Sequence, residues 1–194
     1  MATKKTALRL EYNSPVILSF ALLSLVVLGL DLLTNGMATE TFFCVYRAPL
    51  SDPFTYPRII THVLGHADWN HYLSNMTLLL VVGPPLEERY GSTRLLWCIL
   101  ITALISGLVQ YVFFPGTMLL GASGIVFMMI LLSSFGGVRN GVIPITLILV
   151  AVCYLGGEVW DAIFKDDNVS QLTHIIGGVC GTVLGFILSK SRRH

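Results

Sequence analysis

The residues that could do chemistry in this sequence are a serine and a histidine that both occur in apolar surroundings. Ser123 stands in the small-residue stretch GASG, at 121–124, and His174 stands near the start of THIIGGVCGTVLG, at 173–185. A serine hydroxyl is a weak nucleophile until a base removes its proton, and a neutral histidine is a suitable base. The two residues therefore predict acyl transfer by a Ser123–His174 dyad, provided that the fold brings them together.

A second histidine and an asparagine could stabilise the negative charge that develops in such a reaction. His71 and Asn75 are four residues apart in the stretch HYLSN, so one helix face carries both side chains. The backbone N–H of Ser123, at a helix N-terminus, would be a third hydrogen-bond donor. These three groups predict an oxyanion site, as peptide hydrolysis requires.

Composition indicates that these polar residues belong to a membrane protein. The chain has 194 residues, of which 54% are hydrophobic and 12% charged, and its mean hydropathy is +0.75. A soluble domain of this size has no use for so much apolar surface. The net charge of +1 gives no support for nucleic-acid binding, and the four cysteines indicate no disulfide framework. No Cys, His and carboxylate cluster has ligand spacing, so we expect neither a metal nor another cofactor.

Six apolar segments predict an all-α bundle of membrane-spanning helices, formed by residues 1–194 as a single domain. The segments cover roughly 15–33, 71–86, 95–114, 122–135, 142–157 and 172–188. A spanning helix needs about 20 apolar residues, so the short fourth segment predicts a helix that begins inside the membrane. Backbone at that depth must be shielded by protein or line a wet cavity. The sequence therefore predicts a cavity at Ser123, with the polar run 61–75 as its mouth.

The distribution of lysine and arginine predicts that both termini are cytoplasmic. Nine cationic residues then lie inside, namely Lys4, Lys5, Arg9, Arg89, Arg94, Arg139, Lys190, Arg192 and Arg193. The three that lie outside are Arg47, Arg58 and Lys165. The corresponding parts of the chain are a cytoplasmic N-terminal segment (1–14), an external first loop (34–70) and a basic cytoplasmic tail (189–194).

In this orientation the second, fourth and sixth segments all begin on the external side, so the dyad and the two donors lie at similar depth. The sixth segment also carries a stripe of glycines at spacing four, namely Gly177, Gly181 and Gly185. Such a stripe lets another backbone approach closely, and the glycines that flank Ser123 are its expected complement. Taken alone, GASG is more typical of helix packing than of a nucleophile, and a lone His174 could bond a neighbouring carbonyl. The convergence at one depth favours chemistry.

These motifs resemble those of the rhomboid family of intramembrane serine proteases over nearly the whole chain. The matching residues are, in chain order, His71, Asn75, Gly121, Ser123, Gly124, His174, Gly177 and Gly181. The resemblance implies a six-helix bundle whose fourth helix is central, with Ser123 and His174 as the catalytic dyad. It also implies that His71 and Asn75 lie near the oxyanion.

The resemblance implies roles for residues outside the site as well. Glu87, in LEERYGS at 86–92, would anchor the cytoplasmic end of the bundle, and Arg58 would help to set the first external loop in the membrane. Trp160 and Phe164 would form part of a lateral gate for the substrate, although an anchoring role in the membrane interface explains them equally well.

Three positions depart from the family pattern. Pro57 precedes Arg58 where a tryptophan is usual, and Thr173 precedes His174 where an alanine is common. Phe127 replaces a tyrosine that packs on the catalytic histidine, and it can stack but cannot donate a hydrogen bond. None of the three changes removes a catalytic group.

The activity that the resemblance implies is cleavage of single-helix transmembrane proteins near their external end. The cleaved stretch should unwind readily, because a helix hides its carbonyls in internal hydrogen bonds. The expected location is a bacterial plasma membrane, with the substrate and lipid as partners. The main alternative is an inactive relative that binds transmembrane helices in quality control. A small transporter is disfavoured, because the two halves of the chain show no internal symmetry.

Overall fold

Seven α-helices make up the described part of the molecule. The computed structural model describes residues 11–134, 145, 148, 149, 152 and 168–191, with side chains for 172–189 in the last range. In chain order the helices are α1 (Pro15–Leu33), α2 (Met37–Phe42), α3 (Thr55–Thr61), α4 (Trp69–Tyr90), α5 (Ser92–Phe113), α6 (Ser123–Ser134) and α7 (Asn168–Ser191). A 3₁₀ turn, His62–Leu64, follows α3.

Five of the six predicted apolar segments are helices, which confirms the all-α fold class. The bounds of α1 are those that the sequence predicted. Helices α4 and α7 extend beyond the predicted segments at both ends, and α5 begins three residues earlier and ends one residue earlier than predicted. The predicted fifth segment, 142–157, lies outside the described residues apart from single positions, and so do Trp160 and Phe164. Among the described residues, α1, α5 and the part of α7 from Leu172 to Ser189 are long and apolar enough to cross a membrane.

The fourth apolar segment forms the short helix that the sequence predicted. Helix α6 has 12 residues, which corresponds to about 18 Å against a hydrocarbon thickness of about 30 Å. Eight of these residues are buried, and Met128, Met129, Leu131 and Leu132 are 0% exposed. Because α6 is apolar on every side, it can lie only in the interior, where it contacts α4, α5 and α7.

Helices α6 and α7 approach until their backbones touch. A Cβ atom on Gly177 would collide with the carbonyl oxygen of Gly124, and one on Gly181 would collide with that of Met128. Glycines at this spacing therefore fix how close the two helices lie. The prediction that Gly124 packs against the glycine stripe of α7 is confirmed. The same prediction for Gly121 is wrong. Gly121 precedes α6 at φ +118°, and its Cα faces α4 instead.

Glu87 joins the end of α4 to the start of α1. Its side chain is 4% exposed, and its two carboxylate oxygens accept the backbone N–H groups of Val16 and Ile17, each at 3.0 Å. The first N–H groups of a helix have no intrahelical partner, and Ser14 provides no side-chain cap. A carboxylate at this place satisfies both donors and complements the helix dipole.

The first loop is more structured than the sequence predicted, since it contains α2, α3 and the 3₁₀ turn. Arg58 organises it: its buried guanidinium forms an ion pair with Asp52, donates to the hydroxyl of Tyr46 at 3.0 Å and lies over the Tyr46 ring. The loop is also joined to the segment before α6 by an antiparallel bridge between Val45 and Leu119, with both hydrogen bonds at 2.9 Å.

The predicted polar mouth at 61–75 is partly wrong. His62, Gly65 and His66 are buried, and of the residues between α3 and α4 only Ala67 and Asp68 are exposed. The reason is that this turn lies against the bundle: Val63 packs into the hydrophobic core, and the side chain of His62 meets the hydroxyl of Ser106 in α5.

The tie between α4 and α1 can be tested with Glu87→Gln. This change removes the charge and one of the two carboxylate acceptors, so we expect the free energy of unfolding to fall by about 2 kcal/mol. Thermal unfolding in detergent micelles measures the effect. Glu88→Gln, at the exposed neighbouring position, is the matched control and should leave stability unchanged. Equal stability of the two variants would contradict a role for the Glu87 carboxylate.

The backbone contact between α6 and α7 can be tested with Gly177→Ala. The added methyl group has no space beside the carbonyl of Gly124, so we expect a loss of about 1–3 kcal/mol in the free energy of unfolding. Gly29→Ala is the control, because a Cβ at that position of α1 meets nothing within 4 Å. Alanine there should be neutral or stabilising, by about 1 kcal/mol at most. A Gly177→Ala protein as stable as the control would show that the helices have room to move apart.

Candidate active site

Ser123 is the first residue of α6, and the backbone before it follows an unusual path. Gly121 has φ +118° and donates its N–H to the carbonyl of His62 at 2.9 Å. The first hydrogen bond of the helix runs from Val126 N–H to the carbonyl of Ala122, at 3.0 Å. The N–H groups of the first turn, beginning with that of Ser123, therefore lack intrahelical acceptors and form the positive end of the helix dipole.

His174 lies against the same face of α6 as Ser123. Its imidazole stacks on Phe127 with ring centroids 4.3 Å apart and an angle of 4° between the planes. Because residues four apart share a helix face, Phe127 lies directly beyond Ser123. Thr173, the neighbour of His174, has its Cγ2 atom 3.0 Å from where a Cβ on Gly124 would be. The serine and the histidine thus come together where α6 and α7 touch.

The site is open on this face. Ser123, Phe127 and His174 are each partly exposed, whereas Ala122, Gly124 and Ile125 are buried. These three residues form the accessible part of the helix start, while the residues around them are packed in protein.

His71 and Asn75 lie on the other side of the start of α6. The Cε1 and Nε2 atoms of His71 are each 2.7 Å from the position that a Cβ on Gly121 would take, and Nδ2 of Asn75 is 3.9 Å from it. No side chain fits between them, and φ +118° is also unfavourable for any residue other than glycine. The glycine therefore lets the edge of the imidazole reach the backbone next to Ser123.

One hydrogen bond to the ring of His71 indicates which of its nitrogens is a donor. Asp68 caps α4 by accepting the backbone N–H of His71 at 2.8 Å, and Ala67 donates its N–H to Nδ1 of His71 at 3.4 Å. Since Nδ1 accepts, the neutral ring carries its proton on Nε2, the nitrogen nearer Gly121. Asn75 uses one amide N–H on the carbonyl of His71, at 3.1 Å, and retains the other.

The structure thus brings together the four residues that the sequence predicted to act in concert. Ser123 and the imidazole of His174 lie on one face of α6. The imidazole N–H of His71 and the amide of Asn75 lie on the adjoining side, next to the N-terminus of α6. Groups of these kinds are the ones that acyl transfer uses as nucleophile, base and oxyanion donors. Gly121 differs from the prediction, because in the structure it makes room for His71 of α4 and not for α7.

Two further histidines near the site were missed by sequence reasoning. His62 is 1% exposed and lies 3.3 Å from the hydroxyl of Ser106 through Nε2, while His66 is 0% exposed and contacts the ring of His71. Burial lowers the pKa of each imidazole to about 4. The signal that could have identified them as buried is the apolar pair Val63 and Leu64 between them.

These pKa values predict how stability depends on pH. The ordinary histidine pKa is 6.5, so between pH 6.5 and 4 the unfolded chain binds protons at His62 and His66 that the folded protein does not. The free energy of unfolding should be greatest above pH 6.5 and fall as the pH decreases towards 4, by up to about 3 kcal/mol per histidine. Thermal unfolding between pH 4.5 and 7.5 measures this slope, and His66→Phe should reduce it. A slope of the opposite sign would mean that these rings are charged in the folded state.

Comparisons with known proteins identify the family. A family model described as "Rhomboid domain" matches residues 53–191, well over half of the chain. Rhomboid-related protein 1 of Caenorhabditis elegans is 31% identical over 144 residues, which are 68% of this chain and 39% of that protein. Rhomboid-related protein 2 of Mus musculus is 29% identical over 161 residues, covering 71% and 52% of the two chains.

A bacterial relative is similar over a larger share of its length. Rhomboid protease GlpG of Haemophilus influenzae is 27% identical over 145 residues, which are 71% of this chain and 72% of that protein. The match to the two animal proteins, in contrast, spans about half of their length or less. The family model and the helical bundle with its membrane-length apolar helices agree, and this chain belongs to the rhomboid family.

Proposed function

We propose that this protein is an intramembrane serine endopeptidase. The observation that carries the proposal is the stacking of His174 on Phe127, which keeps an imidazole on the helix face that also carries Ser123. The name of one relative, rhomboid protease GlpG, states the same kind of activity for that protein. A helix-binding role alone would need neither the serine nor the histidine.

In the proposed mechanism His174 removes the proton from the Ser123 hydroxyl as its oxygen attacks the scissile carbonyl carbon. The carbonyl oxygen becomes an oxyanion, which accepts hydrogen bonds from the N–H of Ser123, from Nε2–H of His71 and from the free amide N–H of Asn75. His174 then gives its proton to the leaving amine. Water, deprotonated in turn by His174, hydrolyses the acyl-enzyme and restores the serine.

The electrostatics of the start of α6 support this sequence of steps. The positive end of the helix dipole lies where negative charge develops, and it costs no reorganisation when the reaction occurs. The flat contact with Phe127 helps to orient His174, and the sequence offers no carboxylate inside the apolar segments on the external side as a third member. We therefore expect a slower catalyst than a serine protease with a full triad.

The proposed substrate is a protein with a single transmembrane helix, cut near the external face. We infer that both termini of the chain are cytoplasmic, that residues 1–194 form one six-helix domain in a bacterial plasma membrane, and that 142–157 is the fifth spanning helix. Trp160 and Phe164 would then lie where a substrate helix enters or where the protein anchors in the interface. The lysine and arginine distribution supports this orientation.

The proposal is tested by cleavage of a fluorescent transmembrane substrate by purified protein in liposomes. Ser123→Ala and His174→Ala should each reduce the rate at least 1,000-fold, since each removes a group on which the chemistry depends. The matched control is Ser133→Ala, in the same helix, because within the part of the chain that the structure describes that hydroxyl bonds only to the carbonyl of Ile130 in its own helix. It should retain activity close to that of the parent.

A second measurement separates the two classes of function. A serine-directed fluorophosphonate should label the parent and Ser133→Ala but not Ser123→Ala. Cleavage that persists in Ser123→Ala would refute the dyad. A parent that neither cleaves several substrates nor reacts with the fluorophosphonate would show the inactive, helix-binding alternative to be correct.

A further inference from the structure

His66 is a buried histidine to which the proposed chemistry assigns no role. Its side chain is 0% exposed, and Nδ1 lies 3.1 Å from the carbonyl of Leu64, to which it donates. Its Nε2 atom is buried and has no hydrogen-bond partner among the described residues. A buried polar atom without a partner costs about 1–3 kcal/mol, so an apolar side chain would pack here at lower cost. The imidazole therefore calls for an explanation beyond packing.

The ring of His66 lies against the ring that provides the proposed oxyanion donor. Its centroid is 5.0 Å from that of His71, with an angle of 66° between the planes, and 5.5 Å from that of Tyr72, with an angle of 82°. Edge-to-face contacts of this kind favour one relative orientation of the two rings. Tyr72 is itself fixed, because its hydroxyl donates to the carbonyl of Ala21 in α1 at 3.1 Å.

The hydrogen bond to His71 is too long to orient the imidazole by itself. The N–H of Ala67 lies 3.4 Å from Nδ1, beyond the usual range of about 2.7–3.2 Å. Rotation of the ring by 180° about its Cβ–Cγ bond would put carbon atoms where Nδ1 and Nε2 now lie, so Ala67 would lose its acceptor and the Nε2–H bond would point in another direction. The ring of His66 makes a second contact, which fixes the plane of the His71 imidazole and hinders its rotation about this bond.

We propose that His66 is a positioning residue, which holds the imidazole of His71 so that Nε2–H points at the backbone beside Ser123. Its bond to Leu64 fixes the ring of His66, and the adjacent residue Ala67 supplies the donor to Nδ1. The ring of His66 and the N–H of Ala67 thus belong to adjacent residues, and both contact His71. The effect on catalysis rests on the proposed function, whereas the orientation of His71 does not.

Two substitutions separate the ring contact of His66 from its hydrogen bond. His66→Phe keeps a ring against His71 and Tyr72 but loses the bond to Leu64, whereas His66→Asn keeps a donor for Leu64 and loses the ring. We expect His66→Asn to lower kcat about 10-fold with KM changed less than two-fold, a part of the loss caused by removing an oxyanion donor. His66→Phe should remain within about three-fold of the parent.

Stability loss is controlled by Val63→Ala, at a buried position of the preceding 3₁₀ turn. Its kcat should equal that of the parent at a comparable decrease in melting temperature. An active His66→Asn together with an inactive His66→Phe would overturn the role of the ring, and so would a fall in kcat for Val63→Ala as large as that for His66→Asn.

The orientation itself is measured by ¹⁵N NMR of the histidine side chains in detergent micelles, with His71→Gln to assign the signals. We expect one tautomer of His71, protonated at Nε2, in the parent and in His66→Phe, and a mixture of both tautomers in His66→Asn. This result would stand even if the protein cleaved no substrate, in which case the proposed function alone would fail. A single unchanged tautomer in His66→Asn would refute the positioning role.

Discussion

The backbones of α6 and α7 meet at Gly124 and Gly177, and the geometry of the site depends on this contact. Two helices with side chains between them lie about 8–10 Å apart, and small shifts are absorbed by changes of rotamer. Where backbone meets backbone, no such adjustment exists. Ser123 is adjacent to Gly124, and Thr173, the residue before His174, lies against the same glycine. The contact therefore holds Ser123 and His174 in fixed positions. The proposed acyl transfer would depend on this rigidity, since a displacement of 1 Å between reacting groups costs about 100-fold in rate.

The other side of the serine is fixed by parts of the chain that are distant in sequence. The carbonyl of His62 holds the N–H of Gly121, and the bridge from Val45 holds Leu119 two residues earlier. Arg47 adds a tie to α5, through its Nε–H to the carbonyl of Tyr111 at 3.0 Å. The first loop thus determines where the fourth apolar segment enters its helix. The conformation of a loop is usually determined by the helices that it connects, whereas here the first loop helps to position α6.

The sequence predicts the helices, and the polar side chains that the fold brings together, for the same physical reason. The length of an apolar segment predicts a membrane-spanning helix, as for α1. An ionisable residue within such a segment, such as His174, costs free energy to bury and therefore indicates a functional role. The burial of His66 and the direction of Gly121 could not be predicted. Both depend on contacts between residues far apart in the chain, which leave no periodic signal. Glu87 is intermediate: its motif suggested an anchor, but the N–H groups of Val16 and Ile17 as partners are visible only in the fold.

The shortness of α6 has a consequence for how the protein responds to the bilayer around it. A helix that faces lipid must match the hydrophobic thickness of the membrane by tilting, or the membrane must thin or thicken around it. That adjustment falls on α1, α5 and α7, whose outer faces expose apolar side chains such as Leu32, Ile105 and Val179. Helix α6 buries eight of its twelve residues against other parts of the protein, so lipids with longer or shorter acyl chains act on it less directly. The depth of Ser123 is thereby set by the protein fold, and the outer helices adapt to the membrane in its place.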